Sequence, residues 1–448
     1  MDTEAQLQHH IAQWRGYVQR HRVIAVADVD EMEDHLREQV SALQDAGLAG
    51  DEAFLVAVKR MGNLDAISRE FAREHSERLW KQLVLLPAES AETERGSNRE
   101  LAVVLALAVG AALTLKIGVA ELGESALGRN LSLLVLPFLA GYFAWKRQVR
   151  AKVAVALAVP FALAALILNL YPFEVGAATE VIAMIHAPIA LWFGVGLAYV
   201  GGDWRSDRRR MDFIRFTGEW FVYLTLLALG GGVLIGLTVG AFSTLDFDIE
   251  PIIEDWVVPF GAAGAVIVAA WLVEAKQNVV ENIAPVLTRV FTPLTIVMLL
   301  ALLAAFATTR SVLDVDRSLL ILMDLILVLV LGLLLYAISA RDPLAPPGFF
   351  DRAQLVLVAA ALAVDVVMLA AMLTRIAEFG SSPNKVVALG MNIVLAVNLV
   401  WSLWLGLGFV RGRRGFGDLE RWQTHYLPVY GIWAAVVIVA VPPLFGFV

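Results

Sequence analysis

From residue 101 onward the chain is a succession of eleven apolar stretches, each near the ~20 residues a helix needs to cross the hydrocarbon of a bilayer. They fall at about 101–120, 130–145, 151–171, 180–200, 214–241, 253–274, 286–308, 319–339, 353–374, 384–410 and 428–447. A segment in lipid must satisfy its backbone polar groups internally, so stretches of this length predict helices. Of the 448 residues, 59% are hydrophobic and 17% charged, with a mean hydropathy of +0.70. Soluble domains run at roughly 45–50% apolar and ~25% charged. The excess excludes a soluble enzyme, a disulfide scaffold and a disordered chain. The second stretch is short and the fifth and tenth are long, so tilt or interfacial extension is expected there.

The connecting loops set an orientation. On the side shared with the N-terminus they read KRQVRAK, DWRSDRRRMDFIR, EAKQNVVENIAPVLTR, ARDPLAPPGFFDR and RGRRGFGDLER, with 17 Lys+Arg between them. The opposite five carry Arg129, Arg310, Arg317, Arg375 and Lys385. Cytoplasmic loops are the basic ones, which predicts a cytoplasmic N-terminus and an external C-terminus. Trp145, Trp204, Trp220, Trp256, Trp404 and Trp422 fall near span ends, where an amphipathic ring suits the interface.

Acidity is concentrated ahead of the spans. Residues 1–95 hold 11 Lys+Arg and 18 Asp+Glu, a net of −7, against −1 for the remainder. An acidic region repels phosphate backbones, so nucleic acid is not an expected partner. The opening MDTEAQLQHH has no apolar core, so no cleaved signal peptide is expected. Without cysteine there is no disulfide, thiolate ligand or thiol nucleophile.

Residues 1–87 read as about four helices around a small core. The first runs from about Thr3 to Arg22. The second opens at Asp28, with Glu31 three residues on in a reciprocal capping arrangement. Its stripe is Val29, Met32, Leu36, Val40 and Leu43, and Gly47 ends it. A short third helix carries Phe54, Leu55, Val58 and Met61. The fourth carries Leu64, Ile67, Phe71 and Leu79 and runs into Trp80–Pro87. Residues 88–99 are polar, without a periodic face, and read as a linker to a membrane domain over 100–448.

The stretch Asp28–Phe71 resembles the permease-prefix, or HAAS-type, helical domain of bacterial membrane proteins. The resemblance rests on the E-x-x-D-H-L helix, the G-L-x-x-x-E-A turn into the third helix and the R-M-G-x-L-D-A link to the fourth. It implies a cytosolic domain preceding a permease-like or uncharacterised membrane module, often encoded near PadR-type regulators. The stretch Glu281–Leu300 similarly resembles an uncharacterised polytopic bacterial family. Neither resemblance supplies a catalytic residue.

Ionisable groups inside a bilayer cost ~2.5–3.5 kcal/mol each on insertion scales, so they usually face an interior and carry a role. Lys116, His186, Asp324 and Asp365 fall in the outer half of spans one, four, eight and nine; Asn392 and Asn398 add polar groups in span ten. Together they would suit a cavity for proton-coupled transport, since a buried carboxyl can bind and release protons near neutral pH. The competing reading pairs Lys116 with one aspartate as packing glue. Asp365 lies deepest and is the residue most expected to act. Pro293 is the best hinge candidate, with Thr292 placed to re-satisfy a freed carbonyl. Gly232, Gly236 and Gly240 repeat every four residues in span five, which predicts close helix packing, within the chain or across a homodimer seam. Arg215 and Glu219 read as an i,i+4 pair, and Glu274 as an interfacial residue.

The acidic outer loop Ser243–Trp256 fails the calcium-loop pattern, which would want glycine at Pro251 and glutamate at Val257. H-E-x-x-H, G-x-x-x-x-G-K-[ST] and G-x-S-x-G are absent from the sequence. Neither cofactor nor metal nor enzymatic activity is expected. The sequence predicts an all-α polytopic membrane protein, a secondary transporter or permease for a small molecule or lipid, regulated through residues 1–87. The alternative is a membrane-embedded sensor or scaffold that signals to a cytosolic protein through that region.

Overall fold

The computed structural model describes residues 7, 8, 10, 11, 26–45, 48–61, 90–243, 248–275, 283–308 and 317–448, and among them every regular element is helical. Two compact units are separated at residue 100, Met1–Glu100 and Leu101–Val448.

In the first unit, α1 spans Val26–Asp45 and α2 spans Gly50–Met61. Leu36, Val40 and Leu43 of α1 meet Ala53, Phe54, Ala57 and Val58 of α2, with Leu7 and Ile11 completing the cluster. The i, i+4, i+7 spacing on α1 places these apolar groups on one face, and burial of that face is what holds so short a pair of helices together. Arg37 ties the surface: it bonds Glu33 one turn back and reaches Gln8 at 2.9 Å. α1 begins two residues ahead of Asp28, so Asp28 lies inside the first turn and is not the cap. The fourth expected helix, from Leu64 through Trp80–Pro87, lies outside the described residues, as does Gly47.

Eleven helices among the described residues are long and apolar enough to cross a bilayer. They are α3 (Ser90–Glu121), α4 (Glu124–Lys146), α5 (Ala151–Leu170), α6 (Ala178–Tyr199), α7 (Asp207–Ser243), α8 (Val258–Ala275), α9 (Ile283–Thr308), α10 (Arg317–Ser339), α11 (Phe349–Phe379), α12 (Pro383–Val410) and α13 (Phe416–Leu444). α8 is preceded by one α-helical turn, Glu250–Ile252, and a π-helical turn, Ile253–Val257. The chain is therefore a multi-pass membrane protein with a non-membrane helical region at its N-terminal side.

Several helices outrun their apolar stretches. α3 starts at Ser90, so most of the expected linker is helical. α7 begins at Asp207, where Arg210 bonds Asp207 at 2.6 Å and Phe213 and Phe216 pack against Tyr199. α13 begins at Phe416, twelve residues before its expected start, because Phe416, Leu419, Gln423 and Thr424 are buried against protein. Hydropathy registers lipid solubility, whereas a polar turn stays helical wherever neighbouring helices satisfy its side chains.

Two hydrophobic cores divide the bundle. The first is built by α3 to α8, with Leu139, Tyr142, Phe143, Leu191, Phe216 and Ile267 at its centre. The second is built by α9 to α13, around Leu327, Leu357, Val364, Leu395 and Leu399. α13 joins them: it packs on both α6 and α12, and Tyr430 touches both cores. Small residues set the closest approaches. A Cβ at Gly390 would stand 2.1 Å from the Trp433 ring, and one at Gly196 would stand 2.7 Å from Phe213, so larger side chains would part these helices.

The glycines of span five behave otherwise. Among the described residues, nothing lies within 4 Å of a Cβ built at Gly232, Gly236 or Gly240, and the apolar part of α7 has no buried residue. The expected close helix packing of the stripe is therefore not made with the described residues.

Candidate functional site

On α11 the buried residues Gln354, Val358, Ala361, Asp365, Met368 and Met372 recur at steps of four and three, a single helical face. That face carries two polar groups. Asp365 is 1% exposed, in the apolar setting of the second core. α10 brings Asp324, half-buried, within electrostatic reach of Asp365. α12 brings Asn392, fully buried, beside the Asp324 carboxyl, and its Nδ2 lies 3.5 Å from the Met372 sulfur.

Among the described residues, the Oδ1 atoms of Asp324, Asp365 and Asn392 each find no hydrogen-bond partner. Buried polar atoms are nearly always bonded, because an unmade bond there costs about 1–3 kcal/mol. Two carboxyl groups and one amide oxygen from three helices therefore form an acceptor-rich locus. A carboxyl in an apolar setting is a group that can take up and release a proton.

A second asparagine on α12, two turns further on, shows the contrast. Asn398 Nδ2 donates to Gln423 Oε1 at 3.0 Å and to the Tyr430 hydroxyl at 2.7 Å, while its Oδ1 accepts from Trp422 at 2.6 Å. Gln423 in turn donates to Ser402 at 2.6 Å. This network is complete and joins α12 to α13 as structure. Trp422, half-buried, belongs to it.

The remaining expected site residues stand elsewhere. Lys116 reaches Asp255, 3.2 Å away at the start of the α8 segment, and sits 4.9 Å over the Trp256 ring. His186 bonds the Ile182 carbonyl at 2.9 Å on α6, whose neighbours Ala183 and Ala187 pack with Leu168 and Ile438. One cavity holding all four charged groups does not form, and only Asp324, Asp365 and Asn392 come together. Lys116 does pair with an aspartate, but one outside the spans' interior. The Thr292 hydroxyl accepts from Gln354 Nε2 at 2.9 Å, tying α9 to α11, and α9 continues through Pro293.

Sequence reasoning missed two buried ionic groups. Glu180 is fully buried and accepts from Arg129 at 2.9 Å, from the Gly176 backbone at 2.7 Å and from Ser125. Glu274, read as interfacial, has a side chain only 2% exposed and pairs with Lys146 at 3.3 Å and Arg147 at 3.0 Å. Each lies near a helix end, where composition alone suggests a solvated charge. Arg215 reaches the Ser339 carbonyl at 3.0 Å, capping the C-terminal end of α10. Beside it, a cavity of about 490 Å³ is lined by Arg147, Arg209, Arg215, Asp212 and Glu219. Arg147 and Arg209 also cap, bonding the carbonyls of Tyr199 at 3.1 Å and Val200 at 2.7 Å. These guanidinium groups thus hold helix ends together. Among the described residues no group of three His, Cys, Asp or Glu side chains is placed to hold a metal.

No family model matches the chain, and neither the curated proteins nor the solved structures contain a match.

Proposed function

We propose that this chain is a secondary transporter or permease of a bacterial cytoplasmic membrane, driven by proton exchange at Asp365 and Asp324. The observation that carries the reading is the convergence of three unpartnered oxygens from α10, α11 and α12 in the membrane-spanning bundle. Packing alone does not account for it, since Asn398 on the same helix has every partner it needs. A carboxyl in such a setting changes charge on gaining or losing a proton, and a charge change in low dielectric is the kind of event that shifts a helix bundle between states. The 17 basic residues in the loops on the N-terminal side support a cytoplasmic N-terminus and an external C-terminus. Residues 1–87, read as a permease-prefix domain, would then regulate transport from the cytosol.

The test is solute accumulation. Vesicles holding wild type or Asp365→Asn are energised with an imposed pH gradient and their contents inventoried by mass spectrometry. Wild type accumulates a solute that the variant does not, with equal protein and equal folding in both. Identical inventories would sink the assignment.

A second reading draws on the first unit, which has its own hydrophobic core around Leu36 and Phe54. In this reading the bundle senses a lipid or small molecule and the acidic region signals to a cytosolic protein. A protein co-purifying with the full chain, and lost on deleting residues 1–87, would favour it over transport.

A further inference from the structure

The cavity of about 490 Å³ opens at the basic-loop end of the bundle, where α4, α6 and α8 end and α7 begins. Its volume is in the range of small-molecule sites. Three guanidinium groups, Arg147, Arg209 and Arg215, share its walls with two carboxylates, Asp212 and Glu219. The ends of spanning helices lie at headgroup depth, so both lipid headgroups and dissolved molecules meet such a cavity.

The arginines cap helix ends with only part of their donors. Arg147 donates from Nε to the Tyr199 carbonyl and from Nη2 to Glu274. Arg209 gives Nη1 to the Val200 carbonyl and holds Nε 3.6 Å from Asp203. Arg215 directs Nε and Nη2 to the Ser339 carbonyl. A guanidinium carries five N–H donors. Among the described residues, one terminal nitrogen of each group therefore stays unbonded: Arg147 Nη1, Arg209 Nη2 and Arg215 Nη1. These groups are reachable. The side chains of Arg147 and Arg209 are 33% and 52% exposed, and Arg215 is half-buried with its Nη1 still open to solvent.

Asp212 is their counterpart. It is half-buried and makes neither a hydrogen bond nor an ion pair among the described residues. Arg209 and Arg215 stand three residues to either side of it on α7, the spacing of neighbours on a helix surface, yet it pairs with neither. Opposite charges held apart around an open space select what enters it. A neutral ligand would strip water from them without replacement, a plain anion would meet the carboxylates, and a plain cation would meet the guanidinium groups. A ligand with both signs satisfies both. Three separate guanidinium nitrogens suit the tetrahedral oxygens of a phosphate, whereas one arginine fork is enough for a planar carboxylate.

We propose that this cavity binds a zwitterionic phosphate ester, with its phosphate on Arg147, Arg209 and Arg215 and its ammonium on Asp212. The chemistry is that of phosphoethanolamine, as a free phosphate ester or as the headgroup of a lipid. The lining comes from α4, α6, α7 and α8 and their ends, whereas Asp324, Asp365 and Asn392 stand on α10, α11 and α12, so the proposal does not rest on transport.

Binding is measured by equilibrium dialysis of the full-length protein in an uncharged detergent. O-Phosphoethanolamine is compared with ethyl phosphate, which keeps the phosphate and lacks the ammonium. Wild type is expected to bind O-phosphoethanolamine about ten-fold more tightly, the worth of one hydrogen bond between charged groups. Asp212→Asn keeps the size of the side chain and breaks no bond among the described residues; it should erase that preference and leave ethyl phosphate bound no more weakly. Arg209→Gln should weaken both probes about ten-fold. Glycerophosphoethanolamine, the headgroup without acyl chains, distinguishes the sources: tighter binding than O-phosphoethanolamine assigns a lipid headgroup, weaker binding a free phosphate ester. No binding or no preference in wild type, a preference that survives in Asp212→Asn, or undiminished binding in Arg209→Gln would each overturn the site.

Discussion

Gln354 on α11 donates to the Thr292 hydroxyl on α9 at 2.9 Å, so the helix that carries Asp365 is tied to the helix that carries Pro293. Both side chains are buried. Thr292→Val keeps the shape and removes the acceptor, leaving a buried amide donor unpaired. We expect it to cost about 1–3 kcal/mol, read as a lower unfolding temperature in detergent. Thr295→Val removes only a local bond to the Phe291 carbonyl at 2.8 Å and should cost less. Equal losses would show that the α9–α11 tie contributes nothing beyond local helix structure.

The two asparagines of α12 make a sharper comparison. Asn398→Leu strips partners from Gln423, Tyr430 and Trp422 at once, and a loss of about 3 kcal/mol is expected. Asn392→Leu removes a group whose oxygen is already unpartnered, and about 1 kcal/mol or less is expected, since it also relieves an existing penalty. Thermal unfolding of the two variants side by side checks the order. A reversed order would mean that Asn392 is structural and that its locus has no separate role.

Glu274 is almost fully buried between Lys146 and Arg147, which are themselves partly exposed. Glu274→Gln leaves two cations facing a neutral amide, yet both can turn toward water. The expected cost is about 2 kcal/mol, below the 3–5 kcal/mol typical of breaking a fully buried pair. Unfolding in rising salt checks the electrostatic part, because a buried pair is screened little. A stability gap between wild type and variant that collapses at high salt would place Glu274 in solvent.

Among the described residues, nothing lies within 4 Å of a Cβ built at Gly236. Gly236→Leu should therefore leave the unfolding temperature of the protein in dilute detergent unchanged to within about 0.5 kcal/mol. Its effect on association is read separately, by mass measurement of the detergent-extracted protein. A dimer in wild type that the variant loses would assign the α7 stripe to a homodimer seam; a monomer in both would leave lipid as its only neighbour.

The eleven spans were legible because each repeats the one signal that bilayer thickness imposes, about twenty apolar residues between polar loops. Their true ends were not. The first turns of α7 and α13 are polar, yet Arg210 bonds Asp207 and Gln423 bonds Ser402, contacts that no hydropathy window registers. Within the candidate site, Asp324, Asp365 and Asn392 stood out as polar groups where lipid penalises them. Which of the outer-half polar residues meet was beyond the sequence. Lys116 found Asp255 across 139 residues, and His186 satisfied itself on its own helix at Ile182. Gln354 was overlooked because it lies close to a span end, where an amide looks interfacial. Its spacing of eleven residues from Asp365, three helical turns on the same face, was the available signal.

The central claim is that Asp365 exchanges a proton, and infrared difference spectroscopy of the reconstituted protein across a pH step tests it most directly. Wild type should show a carboxyl C=O band that appears on acidification and vanishes on return. Asp365→Asn should lose that band while Glu274→Gln retains it. A spectrum unchanged by Asp365→Asn would contradict the claim and leave the three unpartnered oxygens without the role assigned to them.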